Sequence, residues 1–411
     1  MKNIKAGFPG IVSIADRLAA SLTAAGPCTD VDVNNMFMRY AMDITGVVGF
    51  AKDFGTTGAL VDAETDSLFD TLRDGMLELY RTATNPTRPL MVWDGAHRKG
   101  TAAWAAFKAH MRALVAEVKS RGPPAADDVT IAAHLLRLTD PRTGRPLDDA
   151  LLAGEFGVYF TAGIESAGNA LTWTTFLISQ HPEVEAKLVA ELAAAGLVAT
   201  QADPTPRALT YADLNALPYL AWVCKEAMRV KPVASSGTTR TVKRDLVVGG
   251  YLIPRGATVL CPFDAVHHLP QNWPDDPAKF MPERWAAAGA EFLPGGDDDA
   301  PPGGVDGDIH LHATGDVSDV AAGRVRRFIP FSVGPRQCVG QSLARLMHDG
   351  GIAHLYGRFS FALAPRMGGW DGVEAAEINR LTLQPLAGLW MRATPRVGVK
   401  AGGGGAAARE E

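Results

Sequence analysis

The sequence predicts a mainly α-helical fold that carries small β-sheets. Three observations lead to this prediction. Apolar residues recur at helical spacing through the first half of the chain, and one long apolar segment follows at residues 150–180. Short strand-like runs bounded by glycine or proline then appear after Arg229. At 411 residues the chain is long enough to bury a large core.

Two amphipathic helices are predicted in the first half. The first places Met36, Tyr40, Ile44 and Val47 on one face and ends before a turn-like stretch at residues 52–55. The second ends at Gly122 and carries an apolar stripe formed by Trp104, Phe107, Met111, Leu114 and Val118. Both faces are interpreted as core. Trp93, which lies between the two helices, is interpreted as a packing residue.

The third prediction is a long central helix over residues 150–180. Its only charged residues are Glu155 and Glu165, Asp148 can cap its start, and Pro182 follows its end. Such a helix is about 45 Å long and too apolar for a surface, so we expect it to cross the centre of the molecule.

A membrane span is the alternative for this segment. Glu165 and Asn169 lie at its middle, where a bilayer penalises polar groups most. We therefore predict a buried helix of a large globular domain, followed by a shorter helix at residues 182–194.

The strands are expected after the helical half. A tight hairpin is predicted from residues 246–248 and 251–253 around Gly249 and Gly250, with residues 258–260 as a further strand. Near the C-terminus, residues 381–383 and 389–391 flank Pro385 and Gly388, which suggests a second small hairpin.

Two segments are predicted to be disordered because they lack apolar surface. The first is the acidic, glycine-rich stretch at about 295–323, and the second is the tail at 399–411. His310 and His312 lie in the first and are interpreted as solvated. Residues 1–398 would then form one catalytic domain.

Composition excludes several classes of function. The net charge of -5 leaves no basic face for nucleic acid. The four cysteines are scattered, which argues against a zinc finger and a secreted disulfide framework and fits a reducing compartment. The first residues show no apolar run typical of a secretory signal or an anchor.

The strongest chemical signal is a glycine-rich run that ends in Cys338 and opens into a helical pattern near Gln341. A cysteine at such a junction faces free N–H donors, which favour the thiolate. Gly334 and Gly340 permit a sharp turn and the close approach of a flat partner. Arg336 offers donors suited to a carboxylate, and a thiolate held in this way can ligate haem iron.

This run resembles the haem-binding signature Phe-x-x-Gly-x-Arg-x-Cys-x-Gly of the cytochrome P-450 family. It matches all five fixed positions, which are Phe331, Gly334, Arg336, Cys338 and Gly340. The resemblance implies a cytochrome P-450 fold, haem b as cofactor, and Cys338 as the axial iron ligand.

Further stretches resemble the same family in its order along the chain. Glu226 and Arg229 look like its Glu-x-x-Arg helix, and residues 282–285 look like its Pro-Glu-Arg-Phe element with Trp in place of Phe. The resemblance implies that Glu226, Arg229 and Arg284 form a buried structural triad. It also places Arg240 as a propionate-binding residue.

Residues 162–166 resemble the family's Ala-Gly-x-(Asp/Glu)-Thr signature, with Ser166 in place of threonine. The resemblance implies that Glu165 and Ser166 relay protons to dioxygen at the iron. The alternative is a buried Glu165 that is bonded to a neighbouring helix. Serine lacks the methyl group that fixes the rotamer of threonine, so proton delivery is expected to be less tightly controlled.

The implied reaction is monooxygenation of a small lipophilic molecule with O2. Electrons would come from an NADPH-dependent flavoprotein reductase or a ferredoxin, and residues 233–237 and 385–387 are expected to touch the substrate. Two alternatives stay open, which are a haem-thiolate isomerase or dehydratase and a non-catalytic fragment.

The likeness begins at the family's fourth or fifth helix, so the N-terminal strands and first helices are expected to be missing. The compartment stays open, since relatives are often bound to the endoplasmic reticulum or lie in plastids.

Overall fold

The computed structural model describes residues 2–58, 67–273, 275–286 and 327–397. The α-helices of this part are α1 (Lys2–Ala25), α2 (Val33–Ile44), α3 (Ser67–Thr84), α4 (Gly95–Ser120), α5 (Ile131–Arg137), α6 (Asp149–Ser179), α7 (Pro182–Ala194), α8 (Tyr211–Asn215), α9 (Pro218–Val230), α10 (Phe263–His268), α11 (Gln341–Tyr356) and α12 (Gly369–Ala375).

The strands are short and all their pairings are antiparallel. They are β1 (Val31–Asp32), β2 (Thr238–Thr241), β3 (Leu246–Val248), β4 (Tyr251–Ile253), β5 (Thr258–Cys261), β6 (Phe359–Leu363), β7 (Glu377–Arg380), β8 (Thr382–Pro385) and β9 (Trp390–Pro395). Strands β1, β9 and β6 form one sheet in that order, and β2–β5, β3–β4 and β7–β8 form three two-stranded sheets. The predicted class, mainly α with small sheets, is confirmed.

Helix α6 is the centre of the molecule, as predicted. The Asp148 carboxylate accepts the Leu151 N–H and caps the start of the helix. From Ala167 onward α6 is buried almost without interruption. The close approach of α2 explains a small residue here, because a Cβ on Gly168 would lie 3.0 Å from backbone atoms of Met38.

The other predicted helices are also present. Helix α2 continues into a π-helical turn at Thr45–Gly49, and α4 ends at Ser120 with Phe107, Met111, Leu114 and Val118 buried. Trp93 is a correction, because 72% of its surface is exposed. It lies between a 3-10 turn and α4, and neither of these two elements covers its side chain.

The strand predictions are correct in part. The hairpin β3–β4 has the predicted register around Gly249 and Gly250, whereas the strand at 258–261 pairs with β2. The predicted second hairpin is wrong, because β8 pairs with β7 and β9 pairs with β6 and β1. Leu381, at a φ of +68°, makes the tight turn between β7 and β8. Strand β9 instead covers the main core through buried Met391 and Ala393.

Two apolar clusters make up the core. The larger packs α1, α2, the second half of α6, α7, α9 and α11 together with β6 and β9. The smaller packs α3 and α4 on the first half of α6. Helix α6 therefore joins both clusters. The predictions for residues 295–323 and 399–411 fall outside the described residues.

Candidate functional site

The Cys338 loop is held in a compact turn at the start of α11. The Cys338 N–H donates to the Phe331 carbonyl oxygen at 2.8 Å, and the Gln337 N–H donates to that of Gly334 at 3.0 Å. Gly334 has a φ of +78°, a conformation that side chains with a Cβ rarely adopt. The loop thereby exposes both Cys338 and Val339.

The thiol of Cys338 experiences two opposing effects. Desolvation raises its pKa, while the N–H groups of Gly340 and Gln341 donate to the sulfur and act to lower the pKa. The sequence predicted that the helix start favours the thiolate. The predicted donors are present, but desolvation is the larger effect and the net direction is upward.

The segment before the cysteine is fixed to α10. The Ile329 N–H donates to Nε2 of His267 at 2.9 Å, and the His267 ring lies 5.4 Å from that of Phe328 at an interplanar angle of 30°. His267 is fully buried, and desolvation lowers its pKa to about 3. The neutral imidazole is therefore the acceptor that holds the start of this loop.

Glu226, Arg229 and Arg284 lie together in a buried cluster. The Glu226 carboxylate receives Nη2 of Arg229 and Nε of Arg284, each at 2.8 Å, and also Nε1 of Trp285 at 3.0 Å and the Met281 N–H. Two guanidinium groups and two neutral donors thus surround one carboxylate. Both arginines also donate to backbone carbonyls, including that of Lys279, which ties α9 to the turn at Pro282–Trp285.

The two arginines assigned to propionates lie at the surface. Arg240 is exposed on β2, where its guanidinium donates to the Thr238 hydroxyl and the Thr239 carbonyl oxygen. Arg336 is exposed in the 3-10 turn Gly334–Arg336 of the cysteine loop. Because both side chains are exposed, both guanidinium groups are accessible to an anionic ligand.

Glu165 and Ser166 do not hydrogen-bond to each other. The Ser166 hydroxyl donates to the Ala162 carbonyl oxygen at 2.6 Å, while Glu165 accepts the Thr382 hydroxyl at 2.5 Å. Burial raises the pKa of Glu165, and the bond from Thr382 opposes that rise. The partner of this partly buried carboxylate is thus a strand residue rather than a neighbouring helix.

The bond to Thr382 is one part of a longer polar chain. Nδ2 of Asn169 donates to the Thr382 hydroxyl at 3.0 Å, and Nδ2 of Asn34 donates to Oδ1 of Asn169 at 2.6 Å. The chain links α2, α6 and β8 across buried surroundings. Sequence reasoning missed Thr382 and Asn34, and the only signal was the polar Asn169 on an apolar helix.

A cavity of about 290 Å³ adjoins Glu165. Its apolar lining comes from three helices and from the stretch after β8, and includes Met38, Phe69, Leu72, Ile164 and Leu386. Of the segments predicted to touch substrate, Pro385 lines this cavity, whereas Ser235 and Ser236 line a second, more polar one of about 460 Å³. The Leu383 N–H donates to the Val233 carbonyl oxygen at 2.8 Å, so β8 joins the two segments.

The second half of α6 contacts the helix that follows the cysteine loop. The Thr174 hydroxyl lies 2.8 Å from Nε2 of His348, and a Cβ on Gly351 would lie 3.3 Å from Leu171. Ser166 and the Cys338 loop each precede this contact by two to three helical turns. The helix that carries Ser166 is therefore packed against the helix that follows the Cys338 loop.

The residues present fit a haem group. A thiol with two N–H donors aimed at its sulfur is the donor set of a thiolate ligand. Val339 is 82% exposed beside that thiol, which places an apolar side chain next to the sulfur where a ligand would lie. The exposed Arg336 supplies a guanidinium for a carboxylate on the same loop.

Comparisons with known proteins identify the family to which this chain is similar. The family model for cytochrome P-450 matches residues 3–385. A cytochrome P-450 monooxygenase of Aspergillus fumigatus is 26% identical over 351 residues, covering 81% of this chain and 56% of the relative. The cyclooctat-9-en-7-ol 5-monooxygenase of Streptomyces melanosporofaciens is 26% identical over 274 residues, covering 66% and 56%.

Two solved structures share the fold. The crystal structure of a cytochrome P-450 haem domain superimposes with a TM-score of 0.71 at 20% identity, covering 96% of this chain and 74% of that one. Another cytochrome P-450 gives 0.72 at 21% identity, covering 96% and 78%.

The chain spans about half the length of the curated relatives that it matches, with 56%, 44% and 42% covered in three of them. Within the described ranges, no helix combines the length and apolarity needed to cross a bilayer. The family match covers nearly the whole chain and includes the cysteine loop. Membership of this family implies haem as the cofactor. The chain therefore belongs to the cytochrome P-450 family.

Proposed function

We propose that this chain is the catalytic part of a haem-thiolate monooxygenase that inserts one oxygen atom of O2 into a small lipophilic substrate. The observation that carries the proposal is the exposed Cys338 thiol, held at the start of α11 by a family signature with two N–H donors on its sulfur. Electrons would come from a separate reductase, either an NADPH-dependent flavoprotein or a ferredoxin.

Cys338 would hold the haem iron, and Arg336 and Arg240 would bind its propionates. When bound, haem supplies the site for O2 activation, and a thiolate ligand favours cleavage of the O–O bond. A metal ion deprotonates a coordinating thiol, so the raised pKa of Cys338 is compatible with this role. The N–H groups of Gly340 and Gln341 then stabilise the negative sulfur.

Glu165 would hold and deliver the protons. Its pKa is raised by burial, which favours the protonated carboxyl that a proton donor needs. The Thr382 hydroxyl fixes one carboxylate oxygen, and the Ser166 hydroxyl lies one residue further along α6. A rotation of Ser166 away from the Ala162 carbonyl would bring this hydroxyl into the path between Glu165 and the substrate.

The cavity beside Glu165 would receive part of the substrate. Its volume of about 290 Å³ is near the lower end for ligand pockets, and apolar side chains share its lining with charged ones such as Arg73, Asp74 and Arg380. A small lipophilic molecule that also carries a polar group fits both properties.

The test is a spectrum of the full chain produced with a haem precursor. The reduced, carbon-monoxide-bound protein should show the absorption typical of a thiolate ligand, and Cys338→Ala should lose it. Cys261→Ser is the matched control, because Cys261 is also exposed. Failure of the wild-type chain to take up haem, or a thiolate-type spectrum that persists in Cys338→Ala, would overturn the proposal.

A further inference from the structure

A second cluster of ligating side chains lies inside the fold, away from the loop of Cys338. Cys224 on α9 and His348 and Asp349 on α11 bring a sulfur, a ring nitrogen and a carboxylate oxygen within 4.8 Å of one another. Cys224 is 1% and His348 3% exposed, while the Asp349 side chain is 24% exposed. The cluster is therefore accessible to solvent on the side of Asp349.

The hydrogen bonds of His348 define which nitrogen is available. The Thr174 hydroxyl donates its single proton to the Ala170 carbonyl oxygen at 2.8 Å. Its 2.8 Å contact with Nε2 of His348 is therefore one in which the imidazole N–H donates. In a neutral imidazole with the proton on Nε2, Nδ1 carries a lone pair.

That lone pair faces another acceptor. Nδ1 of His348 lies 3.1 Å from Oδ1 of Asp349, and a carboxylate only accepts. The buried thiol of Cys224 also hydrogen-bonds to Asp349. Two acceptors that face each other at 3.1 Å require either a proton or a metal ion between them.

We propose that Cys224, His348 and Asp349 form a zinc site, with Sγ, Nδ1 and a carboxylate oxygen as ligands. This mixture of sulfur, imidazole and carboxylate ligands is typical of Zn²⁺. Ligands held at about 2.0–2.3 Å from one tetrahedral ion lie roughly 3.3–3.8 Å apart, so small inward movements close the site. Water from the side of Asp349 takes the fourth position.

The surroundings of His348 support the assignment. A metal-bound histidine usually donates its second N–H to a nearby oxygen, which fixes the ring, and the Thr174 hydroxyl is placed to accept it. The zinc ion would join α9 to α11. Helix α9 carries the Glu226 cluster, and α11 begins three residues after Cys338, so the site would brace the helices on which the haem loop rests.

The experiment measures zinc in the purified full chain after removal of metal with a chelator and dialysis against micromolar Zn²⁺. We expect one zinc per chain by mass spectrometry of the metal, and sulfur together with nitrogen or oxygen neighbours by zinc-edge X-ray absorption. Cys224→Ser and His348→Gln should weaken binding by at least tenfold. Gln retains a donor toward Thr174 but lacks the ligand at Nδ1.

Two further variants separate a ligand role from packing. Thr174→Val leaves all three ligands in place and removes the oxygen that orients His348, so affinity should fall by about 10- to 100-fold. Cys261→Ser and Cys338→Ala should bind zinc like the wild type, and the second also separates this proposal from the haem assignment. Absence of stoichiometric zinc, or equal binding by Cys224→Ser, would show that a proton and not a metal balances the cluster.

Discussion

The hydroxyl of Thr382 donates a 2.5 Å hydrogen bond to the carboxylate of Glu165, although 217 residues separate the two. This bond joins the turn of the β7–β8 hairpin to the centre of helix α6. The residue assigned to proton delivery is thus oriented by a strand whose end, at Pro385, lines the cavity beside it. If the proposed roles hold, this one hydrogen bond would couple substrate contacts to proton delivery.

Thr382→Val should raise the pKa of Glu165 further, because the lost hydrogen bond acts to lower it while burial remains. The limb of the pH–turnover profile that reports ionisation of Glu165 should therefore move to higher pH. Thr382→Ser retains the hydroxyl and serves as control. An unchanged pH profile in Thr382→Val would contradict the coupling.

Glu165→Gln should lower turnover by at least about 100-fold, the usual range for loss of a general acid. The measurement is product formation with NADPH and a reductase, compared with NADPH consumption. Glu155→Gln removes another carboxylate of α6 and should have little effect. Full product formation in Glu165→Gln would show that Glu165 does not deliver the protons.

Glu226→Ala should destabilise the fold by roughly 3–5 kcal/mol, because it leaves two buried guanidinium groups without their carboxylate. Urea denaturation measures the change in the free energy of unfolding. Arg142→Ala, which breaks an ion pair whose arginine is 85% exposed, should cost less than about 1 kcal/mol. Similar losses in both variants would mean that the cluster contributes no more than a surface pair.

Acid should weaken the fold through His267. Its pKa is about 3 in the folded protein and 6.5 for an unperturbed histidine, so the unfolded chain binds more protons between these values. Stability is then fully present above pH 6.5 and falls as the pH drops, by roughly 2 kcal/mol between pH 6.5 and pH 5 from this residue.

His267→Gln retains an acceptor for the Ile329 N–H and should remove this part of the pH dependence. The measurement is urea denaturation at pH 7 and pH 5, with the exposed His134→Gln as control. If the free energy of unfolding changed with pH to the same extent in His267→Gln and in the wild type, His267 would not be the group that binds the proton.

The sequence allowed prediction of the features that are local along the chain. The apolar run of α6, its cap at Asp148, the start of α7 at Pro182, and the hairpin at Gly249 and Gly250 each depend on neighbouring residues. The Cys338 motif is local in the same way, which is why its position at a helix start could be predicted.

Long-range pairings could not be predicted. Strand β9 pairs with β6 and β1 because burial of Met391 on the main core outweighs a local hairpin, and no short-range pattern reports that burial. The bond between Glu165 and Thr382 and the bond between His267 and Ile329 join residues that are far apart in sequence. Single hydroxyl and imidazole side chains give no pattern from which such partners could be identified.

The Glu226 cluster has a consequence for how the chain can vary. Glu226 holds Met281 and Trp285, and His267 holds Ile329, so the chain is anchored on either side of residues 287–326. Changes in length between these two anchors do not have to shift the loop that presents the sulfur.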